Sequence, residues 1–368
     1  MLKDCEKVHS RLQYRMKNRR LKKRIKQLEK ELKLLLESER DSANEELLLT
    51  CRKNLISTYE LADRFDSANT VRMEIADSFM ESGQTQKAIT EYHQVLKKSR
   101  NTANHIQKAE TLSTIGTYFQ VQGSYEAALR FFTAALHAAR KSRNSKLIFK
   151  ALTNLGNVNA VLGDEDQSLS CYELAVEQVG DKSTGFPVSY VCTIIGSQYQ
   201  KRDRTPCAYE WLKKAVMYAQ SSMDAQCVGA LQDFATAQYK LACIEFDLGN
   251  GPQAETRLSG LLQFCSQHEL LVSEALATIQ LVRVRLKSGS AAGSLPLLQE
   301  QVDKIRKNPG MYPPECFMVF KLIGDHCKYF LKDTASAERF YALYMRQFQK
   351  SKNQIEDLVH FKEIDLSN

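Results

Sequence analysis

The chain has 368 residues, of which 43% are hydrophobic and 26% charged, and its formal net charge is +8. These proportions exclude a mostly disordered chain. No run approaches the ~18 apolar residues of a membrane-spanning helix, and residues 1–20 lack the apolar segment of a secretory signal. Only 7 prolines and 16 glycines predict long helices rather than strands joined by many turns.

The ten cysteines are scattered and form no Cys-x-x-Cys or Cys/His metal spacing. In a chain of this size without a secretion signal, such cysteines predict a reduced, intracellular protein. We expect a cytoplasmic protein, with the nucleus as the alternative, whose thiols are small buried hydrophobic groups.

The basic excess lies in residues 1–40. They hold 14 Lys and Arg and 6 Asp and Glu, which leaves 37 of each kind in residues 41–368. The densest run contains eight cations and no acid: Arg15, Lys17, Arg19, Arg20, Lys22, Lys23, Arg24 and Lys26. A short apolar heptad pattern overlaps and follows it, at Leu21, Ile25, Leu28, Leu32 and Leu35.

Three interpretations of this basic extension stay open. It is a solvated helix whose apolar stripe packs on the rest of the protein, a nuclear-import or nucleic-acid contact patch, or a self-association helix through residues 21–35. Since no aromatic residue interrupts the basic run, nucleic-acid contact would go to the phosphate backbone and depend on salt.

After a predicted N-terminal capping helix in residues 41–66, the sequence repeats. Gly83, Gly123 and Gly163 are 40 residues apart, and each has a small residue seven before it and five after it and an aromatic residue nine after it. Weaker copies centre on Asp203, Gly249, Gly289 and Leu331, the last with Ser336 and Phe340 at the small and aromatic positions.

Each repeat predicts two antiparallel helices that turn at the central residue. Because one pair cannot bury both of its apolar faces, successive pairs stack into a solenoid. About seven pairs cover residues 67–350, and residues 351–368 predict a C-terminal capping helix or tail.

The pattern L-G-x-x-Y…G-x-Y-x-x-A-x-x-x-F-x-x-A resembles the tetratricopeptide repeat, and residues 115–135 match it at almost every position. The length of about 40 residues, against the usual 34, is similar to that in Pins/LGN adaptors, kinesin light chains, rapsyn and Tonsoku-like proteins. This resemblance implies an all-α, right-handed superhelix with the basic helical extension at its N-terminus.

No catalytic chemistry is apparent. The seven histidines lack partners at metal spacing, and no Walker loop, G-x-S-x-G or H-E-x-x-H motif occurs. The sequence predicts no enzyme, no cofactor and no metal.

The resemblance implies that the first helix of each repeat lines a concave groove that binds a protein partner. The residues it places on that face are Asp77, Thr117, Gln120, Asn154, Asn157, Ser197, Lys201, Arg283, Lys287, Lys321, Asp325 and Lys328. Basic residues dominate the later repeats, so we expect an acidic partner segment toward the C-terminal half.

Two functions follow from these patterns. The first is a non-enzymatic scaffold or adaptor that binds an extended or helical peptide in the groove, without membrane insertion. The alternative is a nuclear genome-maintenance or chromatin-associated factor, similar to the Tonsoku-like group, whose basic arm serves import or nucleic-acid contact.

Overall fold

A computed structural model describes residues 2–38, 42–99, 104–179, 187–227, 229–289, 293–307 and 309–352. In these ranges all the regular structure is helical, which confirms the all-α prediction. The chain divides into two compact units, Met1–Val179 and Gly180–Asn368. The predicted cap in residues 351–368 lies almost entirely outside the described residues.

The described residues of the first unit form eight helices. They are α1 (Leu2–Glu37), α2 (Ser42–Leu61), α3 (Phe65–Glu81), α4 (Thr85–Ser99), α5 (His105–Val121), α6 (Tyr125–Ser142), α7 (Ser145–Leu162) and α8 (Glu165–Val179). Three repeats are the pairs α3–α4, α5–α6 and α7–α8, while α1 and α2 precede them.

Four further helix pairs lie in the described part of the second unit. They are α9 (Val188–Lys201) with α10 (Thr205–Asp224), α11 (Ala230–Asp247) with α12 (Gly251–Gln267), α13 (Leu271–Lys287) with α14 (Ser294–Lys307), and α15 (Met318–Tyr329) with α16 (Thr334–Lys352). Two 3-10 turns, Pro309–Met311 and Pro314–Phe317, connect α14 to α15.

The N-terminal helix is joined to the repeats by its apolar stripe. Ile25 and Leu28 are 3% and 1% exposed and share a core with Leu55 of α2 and Ile75 of α3. The stripe that predicted self-association therefore packs within the chain, as the first of the three interpretations expects.

The turn inside each repeat depends on one residue in the left-handed backbone region. Gly83, Gly123 and Gly163 have φ of +74°, +73° and +83°. Glycine adopts this conformation without steric cost, and it ends the first helix so that the second can reverse direction. At the weaker fourth repeat, Asp203 adopts φ +55° instead.

Close packing within each pair requires the small residue of the first helix. A Cβ added to Gly156 would lie 2.6 Å from the Tyr172 ring, and one added to Gly116 would lie 2.7 Å from the Phe132 ring. The side chain nine residues after the turn thus fills the space that the glycine leaves open.

The last repeat departs from the predicted register by one residue. The left-handed turn residue is Lys332, with φ +54°, not Leu331. Ala337 is buried, and the ring that meets Gly324 belongs to Tyr341. The assignment of Ser336 and Phe340 was therefore wrong, because one additional residue lies between Gly324 and the turn residue.

The first helices of successive repeats contact one another: α3 with α5 and α5 with α7 in the first unit, and α9, α11, α13 and α15 in the same way in the second. Most second helices pack between the first helix of their own repeat and that of the next, as α6 does between α5 and α7. The first helices of each unit therefore form a layer with one side left to solvent.

The Gly156–Tyr172 contact gives a test of this packing. We expect Gly156→Ala to lower the free energy of unfolding by about 1–3 kcal/mol, because the added methyl group overpacks the pair. Gly260→Ala is the matched control, because residue 260 is an exposed position of α12 and an added Cβ would meet nothing within 4 Å. This control should stabilise by about 0.5–1 kcal/mol. Urea unfolding followed by circular dichroism measures both, and equal stability of the two variants would contradict the packing argument.

Candidate partner-binding face

The twelve predicted groove residues all lie on first helices. We call the solvent side of the first helices in one unit its first-helix face. The first unit carries Asp77, Thr117, Gln120, Asn154 and Asn157, and the second carries Ser197, Lys201, Arg283, Lys287, Lys321, Asp325 and Lys328. All twelve are exposed or half-buried, and the structure brings them together as two sets, one in each unit.

Three of these side chains also hold their own repeat together. The Tyr172 hydroxyl donates a hydrogen bond to Asn157 Oδ1 at 2.6 Å, and the Tyr341 hydroxyl donates to Asp325 Oδ1 at 2.7 Å. Tyr92 donates to Asp77 in the same way. Sequence reasoning assigned these acceptors to a ligand, but each binds the aromatic residue of its second helix.

The chain carries a signal for this bond. Where the residue after the small one is Asp or Asn, the residue nine after the turn is tyrosine. Where that first residue is Thr117 or Ser197, the residue nine after the turn is Phe132 or Leu212, which has no hydroxyl. Burial, followed by the hydrogen bond to Asp77, raises the pKa of Tyr92 above its ordinary value. The hydroxyl therefore stays protonated and remains a donor.

Cations dominate the first-helix face of the second unit. Besides the five predicted ones, α11 contributes Lys240, which the sequence analysis missed. Burial raises the pKa of the Cys243 thiol to about 11, while the charges of Lys240 and Arg283 lower it and that of Asp247 raises it. Charges from α11 and α13 thus converge on one region.

Two carboxylates on this face accept hydrogen bonds from neutral donors, which leave their negative charge in place. Asp247 accepts a hydrogen bond from Gln200 Nε2 at 3.0 Å, and Asp325 accepts the one from Tyr341. The cations also have neutral partners: the Lys287 ammonium lies 4.8 Å from the centre of the Phe246 ring, and Arg283 donates to the neutral Gln280. Neither of these two contacts neutralises the cation.

The first unit differs at an equivalent position. Two residues before the turn glycine, it exposes Val121 and Val161, which are 77% and 55% accessible. That position holds Glu81 in the remaining repeat of the first unit, and Lys201, Asp247, Lys287 and Phe330 in the second unit. The first unit therefore exposes two valines at a position where three of the four residues in the second unit are charged, and sequence reasoning overlooked the valines.

The thiols and histidines offer little reactive chemistry. Within the described residues, no three His, Cys, Asp or Glu side chains group closely enough to hold a metal ion. Burial raises the pKa of Cys192, Cys265 and Cys316 to about 12, so these thiols are poor nucleophiles. Cys207 is exposed, which corrects the expectation that the cysteines are buried.

Removing one hydroxyl tests the Tyr172–Asn157 bond. We expect Tyr172→Phe to lower the free energy of unfolding by about 1 kcal/mol, the usual net value of a hydrogen bond, while leaving the ring in place. Tyr190→Phe, at a residue that is 51% exposed, is the control and should change stability by less than about 0.5 kcal/mol. Urea denaturation measures the stability of both variants. An unchanged midpoint for Tyr172→Phe would show that the hydrogen bond contributes nothing to the free energy of unfolding.

Comparisons with known proteins agree with this architecture. A family model for the tetratricopeptide repeat matches residues 67–141, and no curated protein matches the chain. None of the described helices is long and apolar enough to cross a membrane.

Several solved structures have the same fold. A signal transduction ATPase (STAND) with a tetratricopeptide repeat sensor, from Pyrococcus horikoshii, superposes with a TM-score of 0.61 at 12% identity, over 83% of this chain and 46% of its own. The chain thus spans about half of that protein. The apo form of RapI superposes with a TM-score of 0.53 at 11% identity, over 77% of this chain and 99% of its own. The apo quorum sensor NprR from B. thuringiensis superposes with a TM-score of 0.52 at 14% identity, over 91% of this chain and 99% of its own.

These likenesses establish the fold. The family match covers residues 67–141, and the turn residues and small–large pairs continue the same helix-pair architecture through the other described repeats.

Proposed function

We propose that the chain is a non-enzymatic scaffold whose first-helix faces bind segments of a protein partner. The observation that carries this proposal is the contrast between the faces: two exposed valines in the first unit, and a group of six Lys and Arg side chains in the second. Such surfaces suit recognition of side chains rather than bond-making chemistry.

The second unit is proposed to bind an acidic segment. Arg283 and Lys287 lie one helical turn apart on α13, and Lys321 and Lys328 lie on the neighbouring α15. An extended or helical peptide bearing Asp or Glu would meet several of these charges at once. Arginine adds a planar donor set that fits a carboxylate in two hydrogen bonds.

The first unit is proposed to bind a less charged segment. Val121 and Val161 supply exposed apolar side chains, and Gln120 supplies an amide group next to Val121 in the chain. Asn157 is a weaker choice for a ligand contact, because its carbonyl oxygen already accepts the Tyr172 hydrogen bond. Its substitution would disturb the repeat as well as any bound peptide.

The setting of this function is also a proposal. The nine cysteines with described side chains are all free thiols, which suits a reducing compartment. We therefore place the scaffold in the cytoplasm, with the nucleus as the alternative that the basic extension favours.

Charge reversal tests the acidic-segment proposal. The purified full chain would be used to select from a library of random displayed peptides. We expect the selected peptides to be rich in Asp and Glu, and Arg283→Glu with Lys287→Glu to weaken their binding at least about tenfold, equivalent to about 1.4 kcal/mol. Fluorescence anisotropy with the synthesised peptides measures the change.

The control carries the same charge change on a second helix. Lys213→Glu with Lys214→Glu alters two exposed residues of α10 and should leave affinity nearly unchanged. Arg283→Gln with Lys287→Gln, whose fold is checked by circular dichroism, separates lost attraction from new repulsion. Selected peptides without acidic enrichment, or equal binding by all variants, would overturn the proposal.

A further inference from the structure

The basic run of α1 forms a cationic surface. Seven side chains between residues 17 and 26 are exposed, namely Lys17, Arg19, Arg20, Lys22, Lys23, Arg24 and Lys26. No salt bridge joins them to a carboxylate among the residues whose side chains are described. Arg24 donates one hydrogen bond, to the neutral Gln27 at 3.2 Å.

Helical geometry spreads these charges over the solvent side. At about 100° per residue, Leu21, Ile25 and Leu28 cluster within about 60°, toward α2 and α3. The seven cations cover an arc of about 220° on the opposite side. Residues 17–26 rise about 14 Å, which gives one positive charge per about 2 Å, close to the one phosphate per about 1.7 Å of duplex DNA.

The surface is held on the body of the first unit. Besides the buried Ile25 and Leu28, the Tyr59 hydroxyl of α2 donates to Glu29 Oε1 at 2.7 Å. The cations are thus presented by a docked helix. This packing also removes the apolar side of α1 that an amphipathic helix would need to enter a lipid surface.

We propose that this surface of α1, residues 17–26, binds the phosphate backbone of duplex nucleic acid. An α-helix fits the major groove of B-DNA, which is about 12 Å wide. The run contains no aromatic side chain to stack on bases, so contact is with phosphates and does not depend on sequence. Since residues 41–368 carry equal numbers of acidic and basic residues, the net attraction to the phosphates comes from the basic extension in residues 1–40.

Fluorescence anisotropy with the full chain tests this proposal. The probes are two labelled short DNA duplexes of different sequence, titrated at several salt concentrations between about 50 and about 200 mM. We expect the two duplexes to bind equally. The slope of log K against log salt should lie between about −3 and about −6, for three to seven phosphate contacts.

The variant Lys22→Gln, Lys23→Gln, Arg24→Gln should weaken duplex binding at least about tenfold and make the slope shallower by about 2–3. Its matched control, Lys141→Gln, Lys146→Gln, Lys150→Gln, removes the same charge from exposed positions on α6 and α7 and should bind like the unaltered chain. Because none of these substitutions touches the second unit, acidic-peptide binding is expected to persist in both variants.

Three results would overturn the proposal. The first is no duplex binding, and the second is equal loss in the arm variant and its control. The third is stronger binding to phosphatidylserine vesicles than to duplex in the same buffer, which would assign the surface to an anionic membrane. Failure here leaves the peptide-binding proposal standing, since that is measured on another surface.

Discussion

The close approach of a small residue in the first helix to a large residue in the second governs this structure. Gly156 with Tyr172 is the clearest case, since any Cβ at residue 156 would enter the ring. The contact fixes the separation of the two helices, and thereby which residues of the first helix remain exposed. Ala76 occupies the equivalent position in the first repeat and packs in one cluster with the buried Tyr92. The packing of that repeat therefore accommodates one additional methyl group.

The same contact ties the binding face to the core. The residue next to the small one lies on the exposed or half-buried side of the helix. In three repeats it nevertheless accepts a hydrogen bond from the tyrosine hydroxyl of the second helix, as Asn157 does from the buried Tyr172. A polar residue there satisfies a buried donor that would otherwise cost about 1–3 kcal/mol. Asp or Asn at this position therefore has a structural reason to exist. The positions two residues before the turn, such as Val161 and Lys287, have no such constraint and are free to differ in chemistry.

Periodicity predicted the fold well because each repeat encodes its turn and its small–large pair locally. The turn glycines at 83, 123 and 163 and the small residues before them needed no knowledge of distant contacts. The last repeat was misread because Leu331 and Lys332 offer no glycine to mark the turn, and a shift of one residue exchanges Phe340 for Tyr341. Hydrogen bonds across the pair, the exposed valines and Lys240 were missed because they depend on which side of a helix faces solvent.

The distribution of charge links the two proposed surfaces. Residues 41–368 are balanced overall, so the cations on the first-helix face of the second unit are offset by acids elsewhere and act only on a ligand that lies on that face. The cations of α1 have no such compensation and act over about a Debye length, ~8 Å at physiological salt. A short acidic peptide would therefore select the local arrangement around Arg283 and Lys287, whereas a polyanion with regularly spaced charge would select α1. The two surfaces thus separate ligands by the spacing of negative charge rather than by its amount.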